Sequence, residues 1–293
     1  MKIKKAFKNI AVIFMLLIVV TGIVFYLYTR DYYHAEAQNF VAAEETKDYI
    51  IYGERDSECG LIFYPGAKVE ECAYAPILSM LADNGICCVV VKMPFHLAVL
   101  HSDAAKQVVA EIPTIENWYI GGHSLGGAMA ADYAATYRSE KMQGKNFKGL
   151  ILLAAYPTKE IYMPVLSIYG SEDNVLNHEK YQSTRAYANS LTEYVLEGGN
   201  HAYFGNYGEQ KGDGKAAITK EEQWQETVDD ILDFLHKTGG LTDEGDMHWI
   251  KKEELSSVNL VSDFYELLQV MLDDNLNEFQ YINEDDQWKI VLK

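Results

Sequence analysis

The chain has 293 residues, 48% hydrophobic and 23% charged, the profile of one large or two small globular units; a disordered chain, a collagen-like repeat and a polytopic membrane protein are excluded. The formal charge is -18, and residues 1–30 carry only bases (Lys2, Lys4, Lys5, Lys8 and Arg30), so the body behind them is more acidic still. Such a body repels phosphate backbones, which argues against a nucleic-acid partner.

The bases Lys2 to Lys8 precede nineteen uncharged residues, Ile10 to Tyr28. At 1.5 Å per residue this run matches the ~30 Å hydrocarbon core of a bilayer. Tyr26, Tyr28 and Arg30 fall where an interfacial belt belongs, and the lysines predict a cytoplasmic amino terminus with the rest of the chain outside. Residues 1–30 therefore read as an uncleaved anchor of a single-pass membrane protein. A cleaved signal peptide, leaving a secreted product, is the alternative, with Ala35-Glu36-Ala37 as its small-residue site.

Residues 31–47 are polar and read as a stalk. From residue 48 apolar runs alternate with amphipathic segments. Strands are expected at 49–52, 61–64, 86–91, 118–120, 149–155, 165–169 and 193–196, with helices near 73–83, 102–110, 125–138, 178–191 and 219–236. Near-continuous apolar strands separated by helices predict an α/β fold, with a mostly parallel sheet, helices on both faces and a main domain over 48–238. Past Gly239-Gly240 the pattern changes. Val258, Val261, Leu268 and Met271 at helical spacing predict a helix over 256–273, and 279–282 with 287–293 predict a hairpin in which Trp288, Ile290 and Leu292 share a face. Residues 241–293 thus read as a small α+β appendage, too short to fold alone with ease. Cys59, Cys72, Cys87 and Cys88 lack zinc-ligand spacing; Cys87 and Cys88 read as core residues, and an exported location would permit a Cys59–Cys72 bridge.

The strongest motif is Gly122-His123-Ser124-Leu125-Gly126, a G-x-S-x-G between an expected strand and an expected helix. A turn this tight leaves no room for side chains two residues either side of the serine, and it lifts the hydroxyl out of the sheet at a helix amino terminus, where developing negative charge is favoured. A serine nucleophile needs a base, and the base needs an orienting acid. Asp173 follows the strand 165–169 and His201 follows the strand 193–196, in the chain order serine, acid, histidine. Glu172 is the nearest rival for the acid. Two backbone N–H groups are candidates for the oxyanion site: Leu125, after the serine, and Ala67, in the Pro65-Gly66-Ala67 loop after the strand 61–64. His96 and His101 lie on a loop that would border the site. Tyr74, Tyr156, Tyr203 and Tyr207 offer aromatic faces for a pocket, a sugar pocket included; the competing reading puts them on sheet and loop surfaces. No metal or cofactor is called for.

Together these residues resemble the α/β-hydrolase superfamily, and within it the minimal-core α/β-hydrolase 5 branch. The likeness covers about 48–237 and rests on Gly60-Leu61-Ile62-Phe63-Tyr64-Pro65-Gly66-Ala67, on 90–95, 121–127, 149–156 and 167–173, on Gly198-Gly199-Asn200-His201-Ala202, and on 207–214. The resemblance implies Ser124 as nucleophile, His201 as base and Asp173 as its orienter. It implies no substrate, because one scaffold hosts many chemistries. The segment 157–164 is too short for a helical lid, so an open, shallow site walled by loops 93–101 and 202–216 is expected. The resulting expectation is an extracytoplasmic serine hydrolase of small-molecule, lipid or carbohydrate esters. A serine peptidase or amidase on the same triad, and a non-enzymatic surface binding protein, are the alternatives.

Overall fold

The computed structural model describes residues 2–37, 40, 42–136, 146–241, 279–284 and 287–292. The chain divides into two compact units, Met1–Leu241 and Thr242–Lys293.

Eight strands of the first unit form one sheet in the order β1-β2-β4-β3-β5-β6-β7-β8. They are β1 (Glu44–Glu45), β2 (Tyr49–Tyr52), β3 (Cys59–Tyr64), β4 (Ile86–Val91), β5 (Asn117–His123), β6 (Asn146–Leu153), β7 (Val165–Gly170) and β8 (Leu191–Leu196). β1 and β2 pair antiparallel at one edge, and every pair from β4 to β8 is parallel. The helices are α1 (Lys2–Arg30), α2 (Ala75–Asp83), α3 (Ala105–Glu111), α4 (Leu125–Thr136), α5 (His178–Thr184) and α6 (Lys220–Lys237).

The two-residue period of the strands sorts their side chains into two cores. Leu61 and Phe63 of β3, with Cys88 and Val90 of β4, meet Ile77, Leu78 and Leu81 of α2 and Val228, Ile231 and Phe234 of α6. Ile62 and Tyr64, with Cys87 and Val89, meet Val108 and Val109 of α3 and Ala130 and Ala131 of α4 on the opposite face. Helices thus cover both faces of a mostly parallel sheet, as expected. α6 begins with a capping box, Thr219 and Glu222 exchanging bonds with each other's backbone N–H.

Three expectations are corrected. β5 runs to His123 instead of ending at residue 120, because Gly121 and Gly122 lack side chains but keep their pairing with Phe63 and Tyr64 of β3. α5 stops at Thr184 and gives way to a 3-10 turn, Arg185–Tyr187, so no helix reaches 191. The polar segment 31–47 does not stand off as a free stalk. Tyr33 exchanges backbone hydrogen bonds with Lys68 and Glu70 (2.7 and 2.9 Å), Glu36 donates to the Asn206 carbonyl (2.8 Å), and Glu44–Glu45 become the edge strand. Backbone groups of Tyr33, Glu36 and Glu44–Glu45 thus find partners on the domain, while most described residues of the segment stay exposed, in keeping with its polar composition.

All four cysteines are free thiols. Burial raises Cys59 and Cys87 to about 12 and Cys72 to about 11, so none carries thiolate character at neutral pH. Cys87 and Cys88 fill the two opposite cores as small hydrophobes.

In the second unit β9 (Phe279–Glu284) and β10 (Gln287–Leu292) pair antiparallel, with Trp288, Ile290 and Leu292 opposite Asn283, Tyr281 and Phe279. The helix expected over 256–273 lies outside the described residues.

Candidate active site

Ser124 is the single residue between β5 and α4, and its φ is +53°. For a residue with a Cβ this left-handed conformation is costly. It is held from both sides: the Ser124 N–H donates to the Leu153 carbonyl at the end of β6 (2.9 Å), and its carbonyl accepts the Ala128 N–H, starting α4 (3.0 Å). A Cβ on Gly126 would stand 2.1 Å from the Tyr64 carbonyl oxygen and 2.3 Å from that of Pro65; one on Gly122 would stand 2.5 Å from the Tyr64 oxygen. The motif's glycines thus allow the first turn of α4 to press on the end of β3 and on the loop that follows it. This contact brings the segments bearing the Leu125 and Ala67 N–H groups together, and neither amide has a hydrogen-bond partner among the described residues.

The acid and the base meet directly. Asp173, on the loop after β7, accepts the Val175 and Leu176 N–H groups at Oδ1, each at 2.8 Å. Its Oδ2 lies 2.8 Å from Nδ1 of His201, on the loop after β8. Both residues are 1% exposed. With Nδ1–H donating to the carboxylate, Nε2 of His201 is the free, basic nitrogen, and it is buried with no partner. Glu172 is exposed, so the rival acid lies on the surface.

Ser124 Oγ makes no hydrogen bond to His201; the ring of His123, the residue before Ser124, lies 4.5 Å centroid to centroid from that of His201. His201, almost fully buried, is more enclosed than an open, shallow site implies, and the segment after it packs against the neighbouring His123. The Phe204 and Tyr207 rings lie 5.7 and 6.5 Å from that of His123. Residues 157–164 contain no helix; Ile161 instead bridges to Ala188.

Several positioning groups escaped the sequence. Tyr74 Oη accepts the Gly66 N–H (2.8 Å) and is hydrogen-bonded with His123 Nδ1 at 2.9 Å. One buried hydroxyl thereby ties the 65–67 loop to the elbow. Tyr74 and Tyr207 are core residues, neither pocket wall nor surface. Gln223 clamps the backbone of Asn200, accepting its N–H (3.0 Å) and donating to its carbonyl (2.8 Å). Asp213 Oδ2 accepts the Ala202 N–H (2.8 Å), and its Oδ1 accepts that of Asn174 (3.4 Å), joining the loops of base and acid. Gln223 and Thr227 interrupt the apolar stripe Trp224-Val228-Ile231 of α6, a signal that could have been read; Asp213 carries none beyond the likeness of 207–214, and Tyr74 reads only as an aromatic face.

Burial and the neighbouring His201 hold His123 well below the usual histidine range, so it stays neutral. An unfolded chain takes up that proton near pH 6.5 and the folded one does not, so stability falls as pH drops below about 6.5. The expected slope is up to about 1.4 kcal/mol per pH unit. Urea midpoints between pH 7 and 5 should show it, and His123→Gln should remove most of it; an unchanged slope would contradict a buried neutral imidazole.

The model of the alpha/beta hydrolase family matches residues 60–225, more than half of the chain. The chain belongs to that family. No curated protein matches its sequence. Among solved structures, the butyrate-bound form of a thermophilic esterase from the planctomycete Thermogutta terrifontis is 15% identical, with 72% of this chain and 96% of that one covered and a TM-score of 0.50. Thermogutta terrifontis esterase 2 phosphoramylated by tabun is 14% identical (72% and 97% covered, TM-score 0.51). An alpha/beta hydrolase enzyme from the sediment metagenome of the Mar Chica lagoon, Morocco, is 13% identical (68% and 99% covered, TM-score 0.51). At these identities the likeness is one of fold, and the mostly parallel sheet of this alpha/beta hydrolase agrees with it.

Proposed function

We propose that this alpha/beta hydrolase is a membrane-anchored serine hydrolase of carboxylic esters, working through Ser124, His201 and Asp173. The observation that carries the reading is the buried Asp173–His201 pair at 2.8 Å with its outer nitrogen unpartnered, the His201 ring 4.5 Å from that of His123, which directly precedes a serine held at φ +53°. In this mechanism Ser124 Oγ attacks the ester carbonyl while His201 Nε2 takes its proton, and the Asp173 carboxylate stabilises the resulting imidazolium. The Leu125 and Ala67 N–H groups receive the oxyanion. The proton passes to the leaving alcohol, and a water activated by the same histidine releases the acid from the acyl-serine. The mechanism requires Ser124 Oγ to reach Nε2, which has no hydrogen-bond partner in the structure; such bonds are often long or unformed before substrate binds. The structural relatives include an esterase phosphoramylated by tabun and an esterase bound to butyrate.

The anchor in this reading is α1, which is long and apolar enough over Ile13–Arg30 to cross a membrane. By the positive-inside rule its lysine-rich start faces the cytoplasm, leaving the hydrolase domain outside. The test is a panel of p-nitrophenyl esters from acetate to laurate beside the matching anilides. Ester turnover well above background, with anilides much slower, is expected; turnover of neither overturns the reading.

A further inference from the structure

We propose that loop 93–101 is the membrane-facing rim of the active site, dipping into the interfacial layer beside α1, and that the site takes amphiphilic esters whose acyl chains reside in that bilayer. The inference rests on the reading of α1 as a membrane span and of Ser124 as the nucleophile.

The far end of α1 lies against this loop. The Phe25 ring stands edge-on to that of Phe95, centroids 5.2 Å apart, and Tyr32 stacks on His96 at 3.9 Å. Lys68 caps the contact, with Nζ 4.5 Å from the Tyr28 ring centroid and 3.5 Å from the Asp31 carboxylate. Depth follows from helix geometry. Phe25 precedes Arg30 by five residues, so at 1.5 Å per residue it lies about 7 Å inside the charged end of the span. A side chain touching Phe25 is at the level where interfacial elements bury their apolar faces, ~5–10 Å into the headgroup and acyl boundary.

The loop is built for that level. Phe95, Val99 and Leu100 are 54%, 56% and 49% exposed, an apolar group on an otherwise strongly acidic body. Phe95 and His96 both adopt positive φ, 56° and 55°, and two consecutive left-handed residues with side chains are held there at a cost. The conformation leaves Phe95 outside the core and against α1. The same loop borders the chemistry. The His96 carbonyl accepts the N–H of Lys68 (2.8 Å), the residue after Ala67, and the turn Ala98–Leu100 packs on α4, which begins at Leu125. An ester in the outer leaflet therefore meets the exposed apolar side chains first and the two candidate oxyanion amides behind them, and an acyl chain need not leave the membrane for its carbonyl to reach Ser124.

The test uses the full chain in phosphatidylcholine vesicles. With acyl chains brominated near the glycerol end, Phe95→Trp should add emission that is quenched at least twofold relative to unbrominated vesicles. Unquenched added emission from protein that floats with the vesicles overturns the proposal. If it comes with a dimer-sized species in detergent, a second copy of this chain covers the patch. In the same vesicles the combined Phe95→Ser, Val99→Ser and Leu100→Ser variant should lower the ratio of long-chain to water-soluble short-chain ester turnover at least tenfold; an unchanged ratio also overturns it. Failure of the underlying readings looks different: a chain that does not float has no anchor, and a floating wild type inert toward both esters is no hydrolase, while the quenching still reports the loop.

Discussion

Replacing Ser124 by alanine should lower ester turnover by on the order of 10⁴ to 10⁶ and leave the fold intact. The loss is large because the acyl-serine route disappears; what remains is binding and the oxyanion amides. The fold survives because the elbow's cost lies in its backbone. Alanine accepts φ +53° no worse than serine, and the flanking bonds to Leu153 and from Ala128 are made by main-chain atoms. A melting curve close to wild type, within about 0.5 kcal/mol, should accompany the lost turnover. Retained turnover would place the chemistry elsewhere.

Asp173→Asn should lower kcat about 10⁴-fold with little change in KM. The asparagine oxygen can still accept the Val175 and Leu176 N–H groups, so the loop keeps its shape. Its amide N–H₂ then faces His201 Nδ1, where a donor already points. The imidazole must switch tautomer to accept that bond, which puts the proton on Nε2 and removes the base. Glu172→Gln, at an exposed position, should change turnover less than twofold. Equal losses at both positions would mean that general acidity of the loop matters and the specific contact does not.

What the sequence made legible follows the range of the forces involved. The elbow could be read because its requirement is local: Gly122 and Gly126 lie two residues either side of Ser124, and the space they leave is taken by the Tyr64 and Pro65 carbonyls. Asp173 could be read from its place after a buried strand, and the alternation of Leu61, Ile62, Phe63 and Tyr64 between two cores follows from strand period alone. The partners of the braces could not. Tyr74 serves Gly66 and His123, Gln223 serves the backbone of Asn200, and Asp213 serves Ala202 and Asn174. Each joins a side chain to a group whose position depends on the assembled sheet. The segment 31–47 was opaque for a related reason: its backbone hydrogen bonds to the domain, and side-chain contacts such as Tyr33–Tyr207 and Glu36–Lys220, meet groups whose positions depend on the assembled sheet.

Labelling with a fluorophosphonate, followed by peptide mass mapping, shows whether Ser124 is an activated nucleophile. The probe reacts with a serine only where a base and oxyanion donors converge on it. One adduct is expected, on Ser124, lost in His201→Ala and in heat-denatured protein. Folded protein that takes up no probe, or takes it up at another serine, would contradict it.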